Sequence, residues 1–98
     1  MAFTLVSKTV KPAEAKWWNQ VDPEAAARVG EFVKAFPGVV SADAKEIEPN
    51  VWQSVIVFES KAVVEEYKVA MAANSDNALR KAYNATHGIV TKFQGQGE

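Results

Sequence analysis

The nine residues from Val51 to Glu59, VWQSVIVFE, decide the fold because they contain the unbroken apolar run Val55-Ile56-Val57-Phe58. Successive side chains of a strand point to opposite faces of its sheet. One face would carry Trp52, Ile56 and Phe58, and the other Val51, Val55 and Val57. We therefore predict a central strand in a sheet that is covered on both faces.

Three further segments have the composition of strands. Ala2 to Val10 is rich in β-branched and aromatic residues and ends at Lys11-Pro12. Val39 to Ile47 precedes Glu48-Pro49-Asn50, which predicts a hairpin into the central strand. Ile89 to Gln94 is a short final strand, and we expect the polar tail GQGE after it to fray.

A first helix is predicted after Asp22-Pro23-Glu24, which supplies an N-cap, a first-turn proline and a first-turn acid. The helix ends at Pro37-Gly38, and its apolar residues recur at helical spacing: Ala25, Val29, Phe32, Val33 and Phe36. The preceding segment, Ala13 to Val21, has room for one helical turn.

A second helical segment is predicted to begin after Ser60 as N-cap, with an apolar stripe of Val63, Val64, Tyr67, Ala70 and Met71. The residues Asn74-Ser75-Asp76-Asn77 favour caps and turns and predict a weak point in it. The helical period then resumes until Gly88, which suits a helix C-terminus, with a stripe of Leu79, Ala82, Tyr83 and Thr86.

The element order β-α-β-β-α-β predicts an α+β, ferredoxin-like fold with a four-stranded antiparallel sheet and with the first and third strands at its centre. Residues 1–98 would form one domain. Two helices cover only one face of such a sheet, and a second copy of the sheet is the most economical cover for the other. We therefore predict a homodimer through the open sheet face.

Composition excludes several classes of function. With 11 basic and 12 acidic residues the net charge is -1, so we predict neither nucleic acid nor a membrane as partner. The chain has no cysteine, which excludes disulfides and thiolate metal sites. No apolar run reaches the roughly 20 residues of a membrane helix, and the first ten residues lack the features of a signal peptide. We expect a cytoplasmic protein.

Three short segments carry a resemblance to a known family: Phe36-Pro37-Gly38-Val39, Val57-Phe58-Glu59-Ser60-Lys61 and Asn74-Ser75-Asp76. In these the chain resembles the dimeric α/β barrel superfamily, particularly the antibiotic-biosynthesis-monooxygenase-like domains. The resemblance implies two sheets packed face to face as a dimeric α/β barrel, with a ligand pocket between the helices and the sheet of each subunit. Members include cofactor-free oxygenases of polyketide quinols, haem-degrading enzymes and isomerases.

The resemblance does not extend to haem chemistry. The asparagine, tryptophan and histidine of the haem-degrading members would correspond to Ser7, Ala72 and Ala82. His87 lies five residues after Ala82, which on a helix rotates it by about 140° away from that position. We therefore expect no haem, no other bound cofactor and no metal.

The candidate catalytic residues are His87 and Tyr83. His87 is the only histidine, and histidine is the side-chain type that changes charge near neutral pH. The alternative is that it only complements the C-terminal end of its helix. Tyr83 would bring a hydroxyl toward the sheet to assist proton transfer, the alternative being a tyrosine that packs with its hydroxyl at the surface.

The candidate ligand-binding residues are Trp17, Trp18 and Tyr67. Adjacent residues cannot both face one core, so at least one of the two tryptophan rings would cap a pocket or meet a partner, although packing alone is the alternative. Tyr67 would orient a ligand through its hydroxyl.

These features predict a small dimeric protein that is a cofactor-independent, monooxygenase-like enzyme acting on a hydrophobic aromatic substrate. The alternative is a non-catalytic dimeric module that binds a small hydrophobic ligand or has a structural role. Composition does not separate the two.

Overall fold

The computed structural model describes residues 2–97 and contains one four-stranded antiparallel sheet. Its strands, in the spatial order β2-β3-β1-β4, are β1 (Phe3–Val10), β2 (Val39–Glu48), β3 (Val51–Phe58) and β4 (Val90–Gly97). The first and third strands are central, as predicted, because these two carry the most apolar sequences. The predicted α+β, ferredoxin-like fold is confirmed.

Four helices connect the strands: α1 (Trp18–Val21), α2 (Pro23–Ala35), α3 (Lys61–Ala73) and α4 (Ser75–Thr86). The Asp22 carboxylate caps α2 by accepting a hydrogen bond from the Ala25 amide at 3.2 Å. Asn74 ends α3 and caps α4, since its Oδ1 accepts a hydrogen bond from the Asn77 amide at 2.9 Å. The predicted weak point in the second helical segment is therefore a true break between two helices.

The core lies between the sheet and α3. It is formed by Leu5, Ile56, Phe58, Val64 and Tyr67, of which Phe58 is fully buried. The Tyr67 ring packs edge-on against the Phe58 ring, with centroids 5.1 Å apart. The apolar stripe predicted for α3 is thus the stripe that the sheet buries.

The outward face of α4 differs from the prediction. Leu79 is 53% exposed, and Ala82 and Thr86 are also exposed, while Asn77 is buried. The Asn74 cap sets where α4 begins, and the Asn77 side chain donates a hydrogen bond to the Met71 carbonyl at 3.0 Å. The inward face of α4 thus includes the polar Asn77, and the stripe prediction is wrong for Leu79, Ala82 and Thr86, whereas Tyr83 is half-buried as predicted.

The predicted fraying of the tail is also wrong for residues 95–97, which extend β4; Glu98 lies outside the described residues. Gly95 pairs with Leu5, and Gly97 pairs with Phe3. A Cβ atom at Gly95 would lie 2.5 Å from Cζ of the Phe3 ring. Because glycine has no side chain, the Phe3 ring can pack over β4 at this position.

None of the helices found between residues 2 and 97 has the length and apolar character needed to cross a membrane.

Candidate functional site

A cavity of about 430 Å³ lies between the sheet and the helices. Its origin is the size of the side chains on the helix-facing side of the two central strands. Ser7 pairs with Ser54 in the middle of these strands, whereas Leu5 pairs with Ile56 toward one end and Thr9 with Trp52 toward the other. The short serine side chains leave space that their larger neighbours enclose.

Three tryptophan side chains line the cavity. Trp18 is buried and Trp17 is half-buried, and both line the cavity together with Trp52. The ring centroids of Trp17 and Trp52 are 5.5 Å apart at an interplanar angle of 60°. The predicted ligand-binding residues Trp17 and Trp18 therefore both line the cavity, Trp18 as a buried side chain and Trp17 as a half-buried one.

Two hydrogen bonds fix Trp17, one through its backbone amide and one through its indole ring. Its backbone amide donates to Gln20 Oε1 at 2.9 Å, and its indole Nε1 donates to Glu46 Oε2 at 3.2 Å. The same Glu46 oxygen accepts from the backbone amide of Asn50 at 3.0 Å. The Lys11 ammonium lies 5.5 Å from the centre of the Trp17 ring and donates to Asn50 Oδ1 at 2.8 Å. The tryptophan is thus tied to the hairpin between β2 and β3.

Tyr67, the third predicted ligand-binding residue, also lines the cavity. Its side chain is only 7% exposed. Burial raises the pKa of the Tyr67 phenol above its ordinary value, and the nearby Arg80 guanidinium offsets part of this rise. The phenol is therefore a neutral hydrogen-bond donor at physiological pH.

Arg80 is a cavity residue that sequence reasoning missed. Its Nε and Nη2 donate to Asn77 Oδ1 at 3.0 Å and 2.6 Å. Burial lowers the pKa of Arg80, and interaction with Tyr67 opposes this effect. The group nevertheless stays charged, since arginine does not lose its proton in proteins. The available signal was the spacing of Asn77 and Arg80, which places them on one face of a helix.

The predicted catalytic pair lies together but outside the cavity lining. The Tyr83 and His87 rings are in contact, with centroids 4.2 Å apart and planes tilted by 33°. The Tyr83 hydroxyl donates to the Lys16 carbonyl at 2.8 Å, and His87 is an exposed residue that caps the end of α4. Tyr83 thereby anchors the chain directly before Trp17. The catalytic roles of the two residues stay predictions.

Polar groups on the sheet complete the site. The Thr9 and Thr91 hydroxyls are hydrogen-bonded at 2.8 Å, and both residues line the cavity along with Ser7 and Ser54. Residues 2–97 contain no group of three or more histidine, cysteine, aspartate or glutamate side chains that could hold a metal ion. The arrangement can therefore enclose a flat apolar ring system and offer hydroxyl and guanidinium donors to its oxygen atoms.

Comparisons with known proteins support the fold. No family model matches the chain, and no curated protein sequence matches it. Among solved structures, SnoaB, a cofactor-independent oxygenase from Streptomyces nogalater, superposes with a TM-score of 0.65 at 11% identity, over 99% of this chain and 92% of that chain.

Two other solved structures are similar to the same degree. A proposed antibiotic biosynthesis monooxygenase from Deinococcus radiodurans gives a TM-score of 0.69 at 6% identity, over 100% of this chain and 92% of its own. One from Nitrosomonas europaea gives 0.68 at 15% identity, over 99% of this chain and 88% of its own. The chain therefore has the ferredoxin-like fold of the antibiotic-biosynthesis-monooxygenase-like domains, which confirms the resemblance at the level of the fold.

Proposed function

We propose that this protein is a monooxygenase-like enzyme that binds a hydrophobic aromatic substrate in the cavity and acts on it without a bound cofactor. The observation that carries the proposal is the cavity itself, whose lining includes three tryptophans together with Tyr67 and Arg80. Its volume of about 430 Å³ suits a small organic molecule. The fold it shares with SnoaB, a cofactor-independent oxygenase, supports the reaction type.

The reaction we propose is the insertion of one oxygen atom of O₂ into an electron-rich phenolic ring. For 1,5-dihydroxynaphthalene, which has one hydroxyl on each ring, the carbon para to one hydroxyl (C4) gains an oxygen atom. The second oxygen atom leaves as water together with two substrate hydrogens, and the product is the hydroxynaphthoquinone juglone. The substrate supplies all the electrons. The protein therefore needs only to orient the ring, exclude water and assist proton transfer.

The predicted site residues have different parts in this proposal. Trp17 and Trp18 contact the ring, and Tyr67 donates a hydrogen bond to a substrate oxygen. Tyr83 is a positioning residue, because its bond to the Lys16 carbonyl holds the segment that carries Trp17. The proposal assigns no step to His87, because His87 lies exposed at the end of α4 and outside the cavity lining, and its predicted catalytic role stays a separate prediction.

Oxygen uptake with the dihydroxynaphthalene tests the function. We expect the wild-type protein to consume one O₂ for each juglone formed, as followed with an oxygen electrode and by quinone absorbance. Tyr67→Phe should lower kcat by about tenfold or more, the effect of losing a positioned proton donor. His87→Ala is the matched control and should retain the wild-type rate. Oxygen uptake no faster than in buffer, or a loss of activity in His87→Ala with none in Tyr67→Phe, would contradict the proposal.

We also propose that two copies pair through the open sheet face, as the sequence predicts. Six valines lie on this face of the three strands β1, β3 and β4: Val6, Val10, Val51, Val55, Val57 and Val90. Val10 and Val90 are 51% and 57% exposed in the single chain. Burial of such a patch against its own copy would remove apolar surface from water on both subunits.

The second candidate function is a non-catalytic module that binds a small ligand in the same cavity. The observation that favours it is the exposed position of His87, which leaves the chain's one histidine away from the site. Saturable binding of naphthalene derivatives without any oxygen uptake would identify this function. The cytoplasmic location stays a prediction.

A further inference from the structure

Arg80 lines the cavity together with Lys34 and Asp43, yet its guanidinium forms no salt bridge with a carboxylate of residues 2–97. Within residues 2–97, the hydrogen bonds of the Arg80 side chain go to Asn77 Oδ1 alone. The group that interacts with it electrostatically is the Tyr67 phenol, which is neutral at physiological pH. A half-buried guanidinium beside a neutral amide and a neutral phenol lacks the counter-charge that buried ions normally have.

The second arginine of the chain shows the contrast. Arg28 is exposed on α2, and its guanidinium donates to both carboxylate oxygens of Asp76 on α4, at 2.9 Å and 3.0 Å. The bidentate carboxylate partner therefore belongs to Arg28, the arginine that is exposed to solvent. Arg80, which faces the cavity, has none among the described residues.

The Asn77 side chain fixes the direction of Arg80. Its Nδ2 donates to the Met71 carbonyl at 3.0 Å, so its Oδ1 is the atom turned toward the guanidinium. Asn77 is 4% exposed, and the bond to Met71 holds it between α3 and α4. A guanidinium has five N–H donors, and Asn77 takes two of them. The remaining N–H groups belong to a side chain that lines the cavity.

We propose that Arg80 binds an anionic oxygen of the aromatic ligand, so that the cavity selects acidic aromatic molecules over neutral ones of the same shape. This inference rests on the proposed function, because it assigns a charge to the substrate of the same site. The recognised group is the anionic oxygen, which a carboxylate or an ionised phenol can supply. Arg80 is the specificity-determining residue, while the tryptophans accept the ring whatever its charge.

Ligand pairs of matched shape test the charge preference. In the first pair, naphthoate has a carboxylate where naphthamide has a neutral amide. In the second pair, a nitronaphthol that is ionised at neutral pH has a phenolate oxygen where its methyl ether has a neutral one. Quenching of tryptophan fluorescence gives each Kd for the full-length protein. We expect at least tenfold tighter binding of the anion in one or both pairs, since hydrogen bonds to charged groups are the strong ones. The pair that shows it identifies the source of the anionic oxygen.

Two charge-removing variants assign the preference to Arg80. Arg80→Met should bind the charged and neutral members of a pair with equal affinity, and Lys81→Met, which removes the neighbouring exposed charge, should keep the wild-type preference. Circular dichroism checks that both variants are folded. If Arg80→Met does not fold, Arg80→Lys takes its place and should weaken the preference, because it keeps one charge but loses the planar set of five donors; equal binding within both wild-type pairs overturns the proposal in either case.

The outcomes separate this inference from the proposed function. Equal binding of anion and neutral analogue by the wild-type protein, or an anion preference that persists in folded Arg80→Met, would overturn the role of Arg80 alone. An anion preference without oxygen uptake would overturn the enzyme and leave the role of Arg80 standing. No saturable binding of any of the four ligands would overturn both.

Discussion

At the scale of single residues, Tyr67 has the clearest electrostatic signature in the cavity. Burial raises the pKa of its phenol above the ordinary value of 10.0. An alkaline titration followed by tyrosinate absorbance should therefore show a phenol that ionises later than free tyrosine. This late step should be absent in Tyr67→Phe and present in Tyr83→Phe, the matched control. Its persistence in Tyr67→Phe would show that Tyr67 is not the shielded phenol.

The same shift affects stability in one direction. Because the pKa is higher in the folded protein than in the unfolded chain, the contribution of Tyr67 is fully present below the unfolded pKa of about 10. It is lost as the pH rises through the folded value. We expect the free energy of unfolding to fall more steeply in this range for the wild-type protein than for Tyr67→Phe.

Residue identity alone could suggest part of the site. The pair Trp17-Trp18 indicates a pocket, because two adjacent indoles cannot share one core, and both line the cavity. Arg80 could not be recognised in the same way. An arginine three residues after an asparagine is typical of a helix surface, and the inward position of this face is evident only from the buried Asn77 and its bond to the Met71 carbonyl.

At the scale of elements, two glycines test how the helices are placed on the sheet. Gly38, between α2 and β2, has a φ of +95°, and a Cβ there would lie 2.6 Å from Val63 Cγ1 on α3. Gly38→Ala should destabilise the protein by about 1–3 kcal/mol through backbone strain and this contact. Urea unfolding measures the change.

Gly30 is the matched control inside α2, where an added Cβ would meet nothing within 4 Å. Gly30→Ala should stabilise the protein by about 0.5–1 kcal/mol, because alanine is the better helix former. Equal effects of the two substitutions would contradict the described path of the chain between α2 and β2.

The sequence predicts the bounds of the helices and strands better than it predicts which side of each element is buried. The caps Asp22 and Asn74 and the hairpin residues Pro49 and Asn50 mark boundaries through local bonding, which a sequence displays directly. The burial of α4 and the extension of β4 depend on partners distant in sequence, such as the Phe3 ring over Gly95. Local patterns contain no information about such contacts.

At the scale of the whole molecule, the open sheet face predicts a homodimer. Light scattering at micromolar concentration should give about twice 10.7 kDa. Val55→Lys, which puts a charge on this face opposite Val6, should shift the protein toward a monomer. Val69→Lys, at a valine that is 72% exposed on α3, should leave the mass unchanged. A monomeric wild-type protein would remove the basis of the proposal.

The strand order could be predicted because a strand that is apolar on both faces has to lie at the centre of a sheet. The cavity could have been anticipated from Ser7 and Ser54, which interrupt the apolar helix-facing side of the central strands. Their pairing across β1 and β3, which makes one gap out of two small residues, becomes visible only with the register.

The central claim is that the cavity between the sheet and the helices is the ligand site, and nuclear magnetic resonance of the isotopically labelled protein titrated with naphthoate tests it most directly. The account predicts saturable shifts that are largest at the Trp17 and Trp18 indole N–H groups and at the amides of Ser7 and Ser54. Shifts that are largest on the open face, at Val6, Val10 and Val90, or that never saturate, would contradict it.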